Sequence, residues 1–164
     1  MKRMLALVVA LALGPVPAMA QVMGQAGAPG FGDLAGRWRG EGQLTLDNEP
    51  PRRFRCQIRL RPVDARRAAF SGRCATAQGG QSFVYMLGLD GGAVLAENRS
   101  EPPDDLPSVM RGDLSAGTLR FADAGGALFE LSPHAEGLTF RLEGDGPEGF
   151  ARGAVVLRRQ GEGD

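Results

Sequence analysis

Histidine, cysteine and lysine are nearly missing from this sequence. Among 164 residues there is one histidine, His134, together with two cysteines, one tryptophan and one tyrosine. The one lysine is Lys2, so the basic residues beyond the first few positions are all arginine. From Leu34 onward no amphipathic stretch has the length of a useful helix. Each scarcity excludes something. His134 sits in Pro133-His134-Ala135-Glu136-Gly137, which reads as an exposed turn, so neither a histidine-based metal site nor a Ser-His-Asp relay is expected. No Gly-rich phosphate loop stands between a strand and a helix. The acid pair Asp104-Asp105 lies in the proline-rich loop Ser100 to Pro107, where solvated surface is the ordinary reading. No catalytic residue, cofactor or metal site is therefore expected. The longest apolar run, Leu5 to Leu13, is too short for a ~30 Å hydrocarbon core, so no transmembrane segment is expected either.

What is present begins with a secretory signal over residues 1–20. Lys2 and Arg3 precede the apolar run, and Ala18-Met19-Ala20 offers a small-x-small cleavage site before Gln21. No cysteine follows it, so a lipid-anchored form has no attachment point. The expectation is a soluble exported protein in the periplasm, cut after Ala20. Residues 21–164 are enough for one domain with a real core. The 19 acidic residues all lie after the signal, whereas two of the 19 basic ones lie within it, which leaves the remainder slightly acidic. A dedicated nucleic-acid binder should be strongly basic, so nucleic acid is not an expected partner.

Residues 21–33, rich in Gly, Ala and Gln, read as a flexible arm, and 161–164 as a disordered tail. Between them, over 34–160, the pattern is strand, turn, strand. In Arg53-Phe54-Arg55-Cys56-Gln57-Ile58-Arg59-Leu60-Arg61, apolar and polar residues alternate without a break, as a half-buried strand requires. A second run, Ala69 to Cys74, folds onto it about Ala65. That register sets Cys56 opposite Cys74 and Leu60 opposite Phe70 on the buried face. In an oxidising compartment such an even pair reads as one structural disulfide, contributing about 3 kcal/mol in the chain-entropy model. Further strands are expected at Trp38 to Leu46, Phe83 to Leu89, Ala93 to Glu97, Val109 to Leu114, Thr118 to Ala122, Ala127 to Leu131, Leu138 to Glu143 and Ala151 to Arg158. About ten short strands joined by turn residues indicate an all-β barrel or sandwich. Sequential hairpins favour an up-and-down antiparallel barrel, whose closure removes sticky edges.

Leu34-Ala35-Gly36-Arg37-Trp38-Arg39-Gly40 resembles the Gly-x-Trp opening of lipocalin-type (calycin) barrels. That resemblance implies that Trp38 closes one end of a barrel. It also implies an arginine near the last strand, which the sequence leaves unassigned. The layout Gly36 to Gly42, Arg53 to Cys56 and Arg73 to Ala75 is similar to a family of small exported bacterial proteins that has no characterised function. Leu34 to Trp38 and Cys56 to Leu60 also resemble segments of periplasmic metalloprotease-inhibitor barrels, which carry one disulfide and insert their N-terminal segment into the protease cleft. This chain departs from them in its Gly-rich arm, its cysteine spacing and its greater length.

Three features invite a functional reading. Arg53, Arg55, Arg59, Arg61 and Arg73 share an outward face and form either a docking surface for an anionic partner or a face neutralised internally. Neutralisation is the better supported of the two, because a hairpin around Pro50-Pro51 sets Glu41 opposite Arg59 and Asp47 opposite Arg53. In Phe83 to Leu87, Val84 and Met86 face outward from an apolar strand, to be covered by the arm (Val22, Met23 or Phe31), by a partner protein or by a second copy. Gly40, Gly42 and Gly72 place no side chain beside Trp38, Phe70 and Tyr85, which leaves room for a small ligand or serves strand bending. The expected function is a non-enzymatic binding barrel for a small apolar or amphipathic ligand, with Trp38, Phe70 and Tyr85 as its contacts. The alternatives are a protein-binding module, such as an inhibitor of an exported protease, and an envelope-associated structural protein.

Overall fold

The computed structural model describes residues 30–47, 49–146 and 149–161. The expected signal, most of the expected arm and the last three residues lie outside the described residues. Ten strands follow one another: β1 (Gly36–Leu46), β2 (Arg52–Pro62), β3 (Arg67–Ala75), β4 (Gly80–Asp90), β5 (Ala93–Asn98), β6 (Val109–Ser115), β7 (Thr118–Ala122), β8 (Leu128–His134), β9 (Gly137–Gly146) and β10 (Gly149–Arg159). Each pairs antiparallel with its neighbours in sequence, and β10 returns to pair with β1. The protein is thus a closed, lipocalin-like up-and-down barrel rather than a sandwich. Among the described residues no helix is long and apolar enough to cross a membrane.

Alternation along the strands decides which face is core. In β2, Phe54, Cys56, Ile58 and Leu60 are buried while Arg53, Arg55, Gln57, Arg59 and Arg61 are exposed. Pairing of β2 with β3 sets Cys56 against Cys74 and Leu60 against Phe70, as the alternation predicts. The two sulfurs are bonded, with Cα atoms 4.2 Å apart. At the β4–β5 hairpin, Gly91 and Gly92 both have positive φ (57° and 100°), which suits a two-residue turn whose twist matches its strands. The interior is apolar and the wall carries charge, the reverse of a membrane-spanning barrel.

Several strands run further than the sequence pattern indicates. β4 begins at Gly80 rather than Phe83, and β9 continues to Gly146. β8 passes through Pro133 to His134, so the expected five-residue turn shrinks to Ala135-Glu136. The arm also differs at its end. Phe31 and Leu34 are buried in the core cluster, so Phe31 does not cover the outer face of β4.

The β1–β2 register corrects another expectation. Glu41 lies opposite Arg55, not Arg59, and the residue opposite Arg59 is Arg37. Arg53 faces Gln43, and Asp47 instead holds the β9–β10 hairpin, accepting from the Phe150 N–H at 3.2 Å while its own N–H donates to the Phe150 carbonyl at 3.0 Å. The reason is tertiary: Asp47, at φ 38°, leaves the strand where that hairpin meets it, so β1 ends at Leu46, four positions before Pro50.

Candidate functional site

The meander places the β1–β2, β3–β4, β5–β6, β7–β8 and β9–β10 connections at one end of the barrel and the others at the opposite end. The second end is sealed. Trp38 is buried there, and its indole N–H donates to the Leu34 carbonyl at 3.0 Å. The guanidinium of Arg159, at the close of β10, lies 4.4 Å from the Trp38 ring and donates to the Ala35 carbonyl at 2.7 Å. A cation over an indole face in this setting is attractive by roughly 0.5–2 kcal/mol. Arg159 thus lies near the end of the last strand, a position that sequence reading left unassigned.

Above this plug the interior is filled. Phe70, Phe83, Tyr85, Phe121, Phe129 and Phe140 form a continuous aromatic cluster, with Phe70–Phe83 and Phe83–Phe129 centroids each 5.1 Å apart. The Tyr85 hydroxyl donates to the Pro107 carbonyl at 2.9 Å. Burial, with the Asp104 and Asp123 carboxylates nearby, pushes that phenol far above its ordinary range, so it stays neutral.

The first end is open. A cavity of about 480 Å³ enters there, within the size range of small-molecule sites. Phe54, Phe83, Phe129 and Leu142 give it an apolar floor, Leu44 and Leu46 a wall, and Cys74 brings the disulfide to its side. Its rim carries Asp105, Asp123, Glu143 and Asp145 against one base, Arg52, which is ion-paired to Glu49. The β5–β6 loop borders the mouth and is ordered by Asp104. One carboxylate oxygen of Asp104 accepts from the Asn98 amide at 2.7 Å and the Leu106 N–H at 3.1 Å; the other is buried without a partner. Asp104 is thus a loop organiser and not the solvated surface acid that its setting suggested. An apolar pit with a negative rim can take the apolar end of an amphipathic molecule and hold a neutral or cationic head at the edge.

The predicted ligand contacts are elsewhere. Trp38 belongs to the sealed end, and Phe70 and Tyr85 are fully enclosed by the aromatic cluster; none of the three lines the cavity. The three glycines do not open a void. A Cβ at Gly40 or Gly42 would strike the Val156 or Ala154 carbonyl of β10, and one at Gly72 would strike the Phe83 ring, so they serve close approach. His134 lies at the sealed end, exposed, with its Nδ1 accepting from the Glu136 N–H at 3.2 Å. Among the described residues no group of three or more metal-binding side chains comes together. What sequence reading missed was the mouth. Its signal was available once the meander was assumed: Asp47, Glu49, Glu101, Asp104, Asp105 and Asp123 all fall on connections at that end, and Asp145 lies at the adjoining end of β9.

On the outer wall the arginine face divides. Arg53 and Arg55 share Glu41, with Arg55 Nε at 2.7 Å, and the Arg53 hydrogen bond and both guanidinium charges hold the Glu41 carboxyl below its usual range. Arg158 pairs with Glu136 at 2.5 Å. Arg37, Arg39, Arg59, Arg61 and Arg73 have no ion-pair partner among the described residues. No protein-family model matches the chain, and no curated protein matches it in sequence.

Proposed function

We propose that the protein is a non-enzymatic, exported binding barrel that takes a small amphipathic molecule, apolar end first, into the mouth opposite Trp38. The observation that carries this reading is the 480 Å³ cavity with its aromatic floor and acidic rim. Shape and polarity together favour a chain or ring of modest size bearing an uncharged or amine head. An anionic head would meet a rim on which Asp105, Asp123, Glu143 and Asp145 outnumber the one base, Arg52. The inhibitor alternative rests on the arm, most of which lies outside the described residues.

Calorimetric titration with decylamine and decanoate, equal in length and opposite in charge, tests the proposal. The amine should bind saturably and at least tenfold more tightly than the carboxylate. Leu142→Trp, which fills the cavity, should abolish binding while circular dichroism shows an intact fold. Absence of binding by both amphiphiles, or binding indifferent to Leu142→Trp, would overturn it. Native mass spectrometry of protein recovered from its own cells gives an independent check. A retained small molecule together with a mass starting at Gln21 supports both ligand binding and export; a co-purifying protein in its place supports the protein-binding alternative.

A further inference from the structure

The strand registers assemble a surface on the outer wall that owes nothing to the mouth. Across the wall, Arg37 lies opposite Arg59, Arg59 opposite Ser71, and Ser71 opposite Val84. One step toward the sealed end, Arg61 lies opposite Ala69 and Ala69 opposite Met86. One step the other way, Arg39 and Arg73 flank Gln57 from either side. Neighbouring strands are about 4.8 Å apart and alternate residues about 6.7 Å apart. All five guanidinium-bearing positions therefore fall within about two Debye lengths at physiological salt. Directly opposed like charges destabilise a strand pair, and Arg37 against Arg59 is such a pair with no carboxylate between. Glu41, the acid on this wall, is already held by Arg53 and Arg55.

Beside the charges, the same rows run into exposed apolar side chains. Val84 is 38% exposed, Val63, just past Arg61, is 44% exposed, and Met86 is half-buried. The small residues Ala69 and Ser71 stand between the two zones and let a flat partner approach closely. The wall is convex, and none of the five arginines lines the mouth cavity, so the cluster is an outer surface and not part of that recess. A fluid sheet of phosphates can bring one anion to each guanidinium without matching any fixed geometry. Its interfacial zone also receives the valines and the methionine. A basic cluster contiguous with an apolar strip is the composition of a surface that lies on a bilayer.

We propose that the outer wall of β1–β4, through Arg37, Arg39, Arg59, Arg61, Arg73, Val84 and Met86, docks the barrel on an anionic lipid surface. The docked barrel lies on its side, with its mouth directed along the membrane rather than into it. Docking neutralises the Arg37–Arg59 opposition that the folded chain leaves standing.

Vesicle flotation tests this. The full chain should float with vesicles containing one third phosphatidylglycerol at low salt, and should stay behind with pure phosphatidylcholine. Raising salt to about 1 M, where the Debye length falls to about 3 Å, should release it. Each arginine near an anionic leaflet contributes roughly fivefold to partitioning, so Arg59→Glu with Arg73→Glu should weaken binding by about 25-fold or more. The fold should survive, since both side chains point outward and one reversal relieves a like-charge pair. Arg152→Glu on β10, outside the cluster, serves as the single-reversal control and should change binding far less than Arg59→Glu or Arg73→Glu made alone. Val84→Ser with Met86→Ser should weaken it severalfold at unchanged charge. Equal flotation with neutral vesicles, no loss in the Arg59/Arg73 reversal, or equal loss in Arg152→Glu would each overturn the proposal. Retention on heparin with no flotation would overturn it in favour of a soluble polyanion.

Discussion

The two ends of this barrel answer the same problem, an exposed aromatic interior, in opposite ways. At the sealed end the chain folds Phe31 and Leu34 back over the opening and sets Trp38 beneath them, with Arg159 stacked on its ring. At the mouth no large side chain among the described residues closes the opening. The floor stays accessible, and a ring of carboxylates surrounds it. The difference teaches where stability and adaptability are divided. One end is dense packing whose residues touch on every side, and the other gives up packing to keep a space.

Truncation is the sharpest way to break that comparison. Trp38→Ala should cost roughly 3–5 kcal/mol in urea denaturation, since it empties the plug and strands the Arg159 guanidinium. A loss below ~1 kcal/mol would mean that the two ends do not differ in the way described. Next in size is the disulfide, which braces the wall between the ends. Replacing Cys56 and Cys74 together by Ala should lower stability by about 3 kcal/mol, read as a shifted denaturation midpoint in oxidised buffer. At the mouth the effect should be smaller. Leu142 is only half-buried, so Leu142→Ala should cost under about 1.5 kcal/mol and enlarge the cavity; a cost equal to that of Trp38→Ala would erase the contrast.

The smallest effect belongs to the wall. The folded-state pKa of Glu41 is depressed, first by its Arg53 hydrogen bond, so the stability it adds is present above its unfolded pKa. That contribution should be lost as pH falls through the depressed value. Glu41→Gln should remove this part of the acid dependence and leave neutral-pH cavity binding unchanged. Denaturation midpoints measured from pH 6 down to pH 3 for both proteins check it. Identical pH profiles would show that the pairing does nothing.

How much of this was legible in the sequence varies with the kind of contact. The β2–β3 pairing was legible because two constraints coincide: the alternation fixes the buried face, and the cysteines pick one register on it. The β1–β2 pairing was not. A slip that changes the partner by four residues keeps every side chain on its own face, so the hydrophobic pattern is blind to it. What takes Asp47 away from Arg53 is its hold on the Phe150 backbone, a contact across 103 positions that no local pattern announces. The expected neutralisation of Arg59 by Glu41 fails because Glu41 lies opposite Arg55. Trp38 at a closed end was readable from the Gly-x-Trp resemblance. Its partner Arg159 was hidden among 18 other basic residues until closure of β10 on β1 chose it. The cavity was missed because large aromatics were taken as ligand contacts, whereas the rings of Phe70 and Tyr85 are enclosed by others of their kind.

Closure of β1 on β10 also sets an order of events. The β2–β3 hairpin joins residues 18 apart at its disulfide, whereas the seam that completes the cylinder joins Trp38 to Arg159. Contacts so distant in sequence are slow to form, because the loop entropy must be spent before they return anything. Until residues 149–159 have emerged, one side of β1 is a bare strand edge and the plug lacks its cation. The first strand of the barrel therefore waits for the last, and a chain halted before β10 carries a sticky seam in place of a wall.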